Sequence, residues 1–363
     1  MINENQPQTN QLTFTVIVPV APGGDVSKVT ESIAKINYPA EKFEFLVAEG
    51  KQPSRQRNLA AQQAKGDIIY FLDNDSETTP EMFNKAAECY TDSKIVMVGG
   101  PNLTSPTDTD MQFAFGSALG SFFAHTSMAA RYRPVGKVRV SGEKELILCN
   151  LSVRREIFIQ SGGFDETLYP NEENEFMNRL QQMGYQLIYH PEVIIYRSRR
   201  KDIFDFFRQL MNYGRGRMEQ AVVEMQWRSR GRVSLSEEKK QSIEGRGNLA
   251  PTSIGRAISN SFFLLPFFFT LYLVTLPITV WFSDWVLLPL VLYVILSIIS
   301  ASGFTYKEKK PMLLFLIPPI YIIMHVAYSC GIIWALLRRL NKNPDEKKPV
   351  EVNIRVVKTF QGV

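Results

Sequence analysis

At 363 residues the chain has room for two or three domains, and its near-neutral mean hydropathy averages two regimes. Most charges precede Arg256, whereas residues 258–337 carry only Asp284 and the Lys307-Glu308-Lys309-Lys310 cluster, which argues against a wholly soluble protein. Three distant cysteines, Cys89, Cys149 and Cys330, offer neither a disulfide framework nor a zinc site. The opening MINENQPQTNQLTF lacks the layout of a secretory signal, so the soluble part is expected in the reducing cytoplasm.

The formal net charge of +5 is concentrated just ahead of the first apolar segment. Arg197, Arg199, Arg200 and Lys201 come first, then Arg208, Arg215 and Arg217, then Arg228, Arg230 and Arg232. Juxtamembrane clusters of this kind favour an anionic cytoplasmic leaflet and make membrane lipids an expected partner. No nucleic-acid module accompanies them, so no nucleic-acid partner is expected.

In chain order, residues 13–20 (TFTVIVPV) are rich in β-branched side chains and read as a buried strand. After the APGG turn, Asp25 is placed to cap a helix whose apolar positions Val26, Val29, Ile33 and Ile36 follow helical spacing. Residues 43–48 read as a second strand, 55–64 as a helix and 67–72 as a third strand. This alternation predicts an α/β fold with a mixed, mainly parallel sheet flanked by helices. Ligands of such sheets bind beyond the carboxyl ends of the strands. Asp25, Glu49 and Asp73-Asn74-Asp75 fall there. Two aspartates two residues apart can share one hard divalent cation, Mg²⁺ or Mn²⁺, with a nucleotide diphosphate, although an isolated D-x-D is more often a solvated turn.

From Asp202 onward, Ile203, Phe204, Phe206, Phe207, Leu210 and Met211 alternate with polar residues in an amphipathic helix. Such a helix suits a bilayer surface or packing on a protein core. Tyr213-Gly214-Arg215-Gly216-Arg217 then offers two flexible, basic positions able to close over a diphosphate. Three charge-free runs follow, residues 257–283, 285–306 and 311–337, each long enough for a hydrocarbon core of about 30 Å. Trp281 and Trp285 flank a turn at Ser283-Asp284 that lacks Lys and Arg and is expected across the membrane, with the Lys307–Lys310 loop back inside. The third run, interrupted by Pro318-Pro319 and followed by Arg338-Arg339, either spans or re-enters. His125, His190 and His325 share no metal-ligand spacing.

Val16-Ile17-Val18-Pro19-Val20, Arg57-Asn58-x-Ala60 and Lys65 through Asp75 together resemble the nucleotide-binding half of A-fold, family-2 inverting glycosyltransferases. Gly162-Gly163-Phe164-Asp165-Glu166 and Asn171-Glu172-Glu173-Asn174-Glu175-Phe176-x-x-Arg179-Leu180 resemble the acceptor-side motifs of that family. The resemblance covers residues 13–217. It implies that Asp73 lies near ribose and metal, that Asp75 ligates the metal, and that Glu49 replaces an aspartate that contacts the base. Arg57 approaches the site or forms a structural salt bridge. Glu173 takes the place of the catalytic base, usually aspartate, and Glu172 is assigned to the helix terminus.

With the apolar C-terminus, the pattern resembles succinoglycan-type glucosyltransferases. A Q-x-x-R-W motif and a membrane helix before the catalytic domain, both features of processive synthases, are missing from this sequence. The implied protein transfers a single sugar from a nucleotide sugar, UDP-linked, to a lipid-linked saccharide in surface polysaccharide assembly, in the inner membrane with its catalytic domain cytoplasmic. Polyprenyl phosphate is the alternative acceptor, and a non-catalytic membrane scaffold of the same fold the alternative class. The expected layout is a flexible N-terminus (1–12), a catalytic domain (13–200), an interfacial helix and basic linker (201–256), two or three membrane helices (257–339) and a tail (340–363).

Overall fold

The computed structural model describes residues 12–121, 123, 128–229, 264–340 and 351–360. The expected flexible N-terminus, His125, the linker from residue 230 and the start of the first apolar run lie outside these residues. The chain divides into two compact units. One comprises Met1–Asp202, Ser297–Ile320 and Glu346–Val363; the other comprises Ile203–Leu296 and Tyr321–Asp345.

The first unit is built on an eight-stranded sheet in the order β11-β2-β1-β3-β8-β5-β9-β7. Its strands are β1 (Phe14–Val20), β2 (Phe43–Glu49), β3 (Ile68–Leu72), β5 (Ile95–Gly99), β7 (Arg139–Ser141), β8 (Asn150–Arg154), β9 (Gln186–Tyr189) and β11 (Asn353–Lys358). β4 (Glu77–Thr78), β6 (Asn102–Thr104) and β10 (Ile195–Arg197) form a second, small sheet. The large sheet is mixed, as expected. β1, β2, β3, β5 and β9 share one direction, and β7, β8 and β11 oppose them.

The inner strands are buried on both faces, which is why they read as continuous apolar runs. Val16 and Val18 of β1, Phe45 and Val47 of β2, and Tyr70 and Leu72 of β3 face one core cluster. The alternating Ile17, Leu46, Ala48, Ile69 and Phe71 face the other, as the two-residue period of a strand requires. α1 (Ser27–Ile33) and α3 (Met82–Ala87) cover the first face through Val29, Ile33 and Phe83. α2 (Pro53–Gln63), α5 (Arg155–Gln160) and α6 (Glu172–Gln182) cover the second through Ala60, Ala61, Phe158 and Phe176. Asp25 grips the start of α1 from two positions earlier, accepting from the amide and hydroxyl of Ser27 at 2.8 and 2.9 Å.

The segment read as a tail contains a strand. β11 returns from beyond the apolar segments and pairs antiparallel with β2, Asn353 opposite Glu49 and Val356 opposite Leu46. Lys358 lies over the Phe43 ring at 3.6 Å. The β2 edge is thereby covered, which removes a row of unpaired backbone groups.

Among the described residues, three apolar helices follow α7 (Ile203–Ser229): α8 (Leu265–Thr279), α9 (Leu288–Glu308) and α10 (Leu313–Leu340). Among the described residues, two helices are long and apolar enough to cross a membrane, one through α9 and one through α10. α8, 15 residues long, is shorter. Pro318 and Pro319 do not interrupt α10, which runs through them for 28 residues. That is about 42 Å at 1.5 Å per residue.

The Tyr213–Arg217 segment is helical, a correction to its reading as a flexible closing loop. It forms part of the 27-residue α7, and within the second unit Gly214 packs against the Tyr328 carbonyl of α10 while Gly331 packs against the Met211 carbonyl. A Cβ at either position would collide with backbone, so the two glycines serve helix contact rather than mobility.

Candidate active site

The D-x-D follows β3, where its burial against β1 and β8 ends. Asn74 turns outward and donates to the Asp25 carbonyl at 2.8 Å, which pins the loop to the one after β1. Glu49, at the end of β2, is half-buried and accepts from the Gly23 amide at 2.9 Å. The three acidic features read from the strand ends therefore border one loop cluster.

α2 connects this cluster to the acidic pair. Arg57 is buried and donates to Asp73 on one side and to Glu172 on the other, each at 3.2 Å. Glu172 is itself buried and also accepts from the Asn171 amide at 3.0 Å. The salt bridge left open as one reading of Arg57 is thus present, joining the D-x-D to the N-terminus of α6. Glu172 serves more than the helix terminus: its charge is the counter-ion of a buried guanidinium.

Asn58 explains the next position of the motif. Its side chain donates to the Phe164 carbonyl and accepts from the Phe164 amide, both at 2.9 Å. This clasps the Gly162-Gly163 turn, where Gly163 holds φ +66° and a Cβ would sit 2.6 Å from the Asn58 carboxamide oxygen. Phe164 packs in turn at a tilt against Phe71 of β3 and edge-to-face with Phe176 of α6, centroids 5.2 and 5.3 Å apart. One aromatic cluster therefore sets α6 against the strand that carries Asp73.

Glu173 follows Glu172 on α6, after Asn171 with a positive φ of 125°, a conformation costly for any residue but glycine. Glu173 is half-buried. Burial, with a second push from the neighbouring Glu172 charge, raises its pKa to about 7. Arg131 opposes that rise and is held by Asn174 of the same helix at 2.6 Å.

Arg197, at the end of β10, was legible only as one member of a basic cluster. Here its guanidinium contacts Asp73 at 2.7 Å and Asp75 at 2.7 and 3.3 Å. Burial acts to raise the Asp73 carboxyl, but Arg197 and then Arg57 outweigh it and hold it below the usual carboxylate range. Burial likewise pushes the nearby Cys149 thiol up to about 11, so it is not a thiolate at neutral pH.

Arg215 and Arg217 lie on α7 in the second unit, apart in the chain's division from the Asp73, Arg57 and Glu173 grouping. Among the described residues no group of three or more His, Cys, Asp or Glu side chains could hold a metal ion by itself. The two aspartates supply hard oxygens at a strand end, so they fit a divalent cation whose remaining ligands come from a diphosphate.

A sequence model described as Glycosyl transferase family group 2 matches residues 68–335. The chain belongs to this family. The match takes in β3, the D-x-D, the acidic pair and the apolar helices. A pre-mycofactocin glycosyltransferase of Mycobacterium tuberculosis is 25% identical over 164 residues, 45% of this chain and 34% of that protein. The chain thus matches about a third of that relative's length. Glycosyltransferase AglE of Haloferax volcanii is 22% identical over 219 residues, 51% of this chain and 67% of that protein. Among solved structures, the mannosyltransferase PcManGT of Pyrobaculum calidifontis, in complex with GDP-Man and Mn²⁺, has a TM-score of 0.54 at 15% identity. That likeness covers 90% of this chain and 88% of PcManGT, and extends the family assignment to the fold.

Proposed function

We propose that this family group 2 protein is an inverting glycosyltransferase that moves one sugar from a nucleotide donor, UDP-linked, to a lipid-linked saccharide in surface polysaccharide assembly. The observation that carries this reading is the Arg57 bridge, which ties Asp73 of the D-x-D to Glu172 beside Glu173 through two 3.2 Å contacts. A donor-binding motif and a candidate base are thereby linked through one buried side chain. Glu173 accepts the proton of the acceptor hydroxyl as its oxygen bonds to the anomeric carbon, and the bond from that carbon to the diphosphate breaks. Its raised pKa suits a base that must take a proton near neutral pH. Asp73 and Asp75 would hold a divalent cation, Mg²⁺ or Mn²⁺, which supplies charge neutralisation for the departing diphosphate. Glu49 borders the loop after β1, where a nucleotide base would lie.

The reading of a multi-pass inner-membrane protein with a cytoplasmic catalytic domain (13–200) is supported by the loop between α9 and α10. Lys310 pairs with Asp110 and sits over the Phe113 ring at 4.6 Å, both on α4 (Asp110–Leu119) of the catalytic unit. The positive loop thus shares a side with the sheet, as the charge rule requires.

The test is purified protein in detergent with a panel of radiolabelled nucleotide sugars and a lipid extract, followed by product analysis. Calorimetry of UDP with Mn²⁺ should lose its metal-dependent part in Asp75→Ala. Unchanged metal-dependent affinity in that variant would remove the metal assignment.

A further inference from the structure

We propose that Arg197 is a resident counter-cation of the D-x-D that makes divalent-metal binding depend on the nucleotide diphosphate. The proposal rests on the reading of Asp73 and Asp75 as metal ligands. Its basis is the bonding of the two carboxylates. Asp73 receives Arg57 on Oδ1 and Arg197 on Oδ2; Asp75 receives Arg197 on both oxygens, from Nε at 2.7 Å and Nη2 at 3.3 Å. Every carboxylate oxygen of the motif therefore already has a guanidinium nitrogen in contact with it.

Two features make Arg197 a built part of the site rather than a passing surface contact. Its backbone is set by the small sheet: Tyr196 pairs with Glu77, two residues beyond Asp75, and Arg197 pairs with Thr104. The Arg197 carbonyl also accepts the Ser105 amide at 3.1 Å. Arg57 is shared with Glu172 at 3.2 Å and Arg200 acts on Asp73 as a weaker charge, whereas Arg197 contacts both aspartates of the D-x-D. Its guanidinium reaches both carboxylates at once.

A divalent ion entering alone meets aspartates whose charge is already compensated, and it must lie within a few ångströms of a guanidinium. Like charges at that range repel, more strongly at half-buried groups than in bulk water, and this offsets part of what coordination gains. A diphosphate arriving with the ion brings the negative charge that is missing. It also offers Arg197 a second bidentate anion. Metal and nucleotide are then coupled, and by linkage each raises the affinity of the other by the same factor.

The experiment follows free Mn²⁺ by electron paramagnetic resonance in titrations of the full-length protein in detergent, alone and with UDP or GDP. Wild type should bind Mn²⁺ weakly alone and at least about tenfold more tightly with nucleotide. Arg197→Gln should bind Mn²⁺ alone roughly tenfold more tightly than wild type, about 1.4 kcal/mol, with the nucleotide effect reduced by the same factor. Arg197→Lys, which keeps the charge and guards against a folding artefact, should stay within about threefold of wild type. Equal Mn²⁺ affinity of Arg197→Gln and wild type, with Asp75→Ala abolishing both, would overturn this proposal and leave the metal reading standing. Mn²⁺ binding untouched by Asp75→Ala in either background would overturn the metal reading itself.

Discussion

Replacing Glu173 with glutamine keeps the side chain's size and removes its capacity to accept a proton. With a pKa near 7, about half of the wild-type protein carries the base form at neutral pH. Below that, kcat/KM should fall about tenfold per pH unit, and above pH 8 it should level off. General-base catalysis contributes about 10²–10⁴-fold, so the variant should lose that factor in kcat with donor affinity nearly unchanged, and its residual rate should lack the acidic limb.

The same substitution has a stability signature. The folded carboxyl is raised from 4.5 to about 7, so the stability it contributes is complete below pH 4.5 and is lost as pH rises through 7. At about 1.4 kcal/mol per pH unit the loss has a ceiling of about 3 kcal/mol, reduced by solvent screening because Glu173 is half-buried. Glu173→Gln should therefore melt above wild type at pH 8 and level with it at pH 4. Radiometric turnover across pH 5–9, with thermal melts at the two extremes, checks both. Near-normal turnover in the variant, or an acidic limb that survives in it, would refute the base assignment.

Glu172→Gln should cost about 1–3 kcal/mol, because it leaves buried Arg57 with Asp73 as its remaining carboxylate; a lowered melting temperature with kcat reduced less than in Glu173→Gln is the expected result. A cysteine at Ser283, after removal of the native three, should react with an impermeant reagent outside intact cells, while cysteines placed before residue 257 should not. Ending the chain at residue 350 removes β11 and uncovers the β2 edge, so the truncated protein should melt lower and aggregate in light scattering; unchanged melting would mean that the strand contributes little.

Much of the nucleotide-binding half was legible because its signals are local. The β-branched run of residues 13–20 becomes β1, the Arg57-Asn58 segment lies on α2, and the D-x-D follows β3. The Arg215 and Arg217 segment was misread because glycines flanking arginines look the same in sequence whether they free a loop or let two helices touch. Only the Tyr328 carbonyl against Gly214 decides between these. The C-terminal strand Asn353–Lys358 was missed although Val350, Val352, Ile354 and Val356 alternate with Glu351, Asn353 and Arg355, a period-two signal; what the sequence does not show is the β2 edge that the strand completes.

What the sequence determined by itself was which stretches are apolar enough for lipid, where strands end, and which carboxylates stand at those ends. These follow from side-chain period and backbone preference, properties of neighbours in the chain. What only the tertiary structure decided is which charges meet. Arg197 reaches Asp75 across 122 positions and Arg57 reaches Glu172 across 115. No local preference encodes such pairs. They exist because buried charges must find partners once the sheet and its helices have enclosed them.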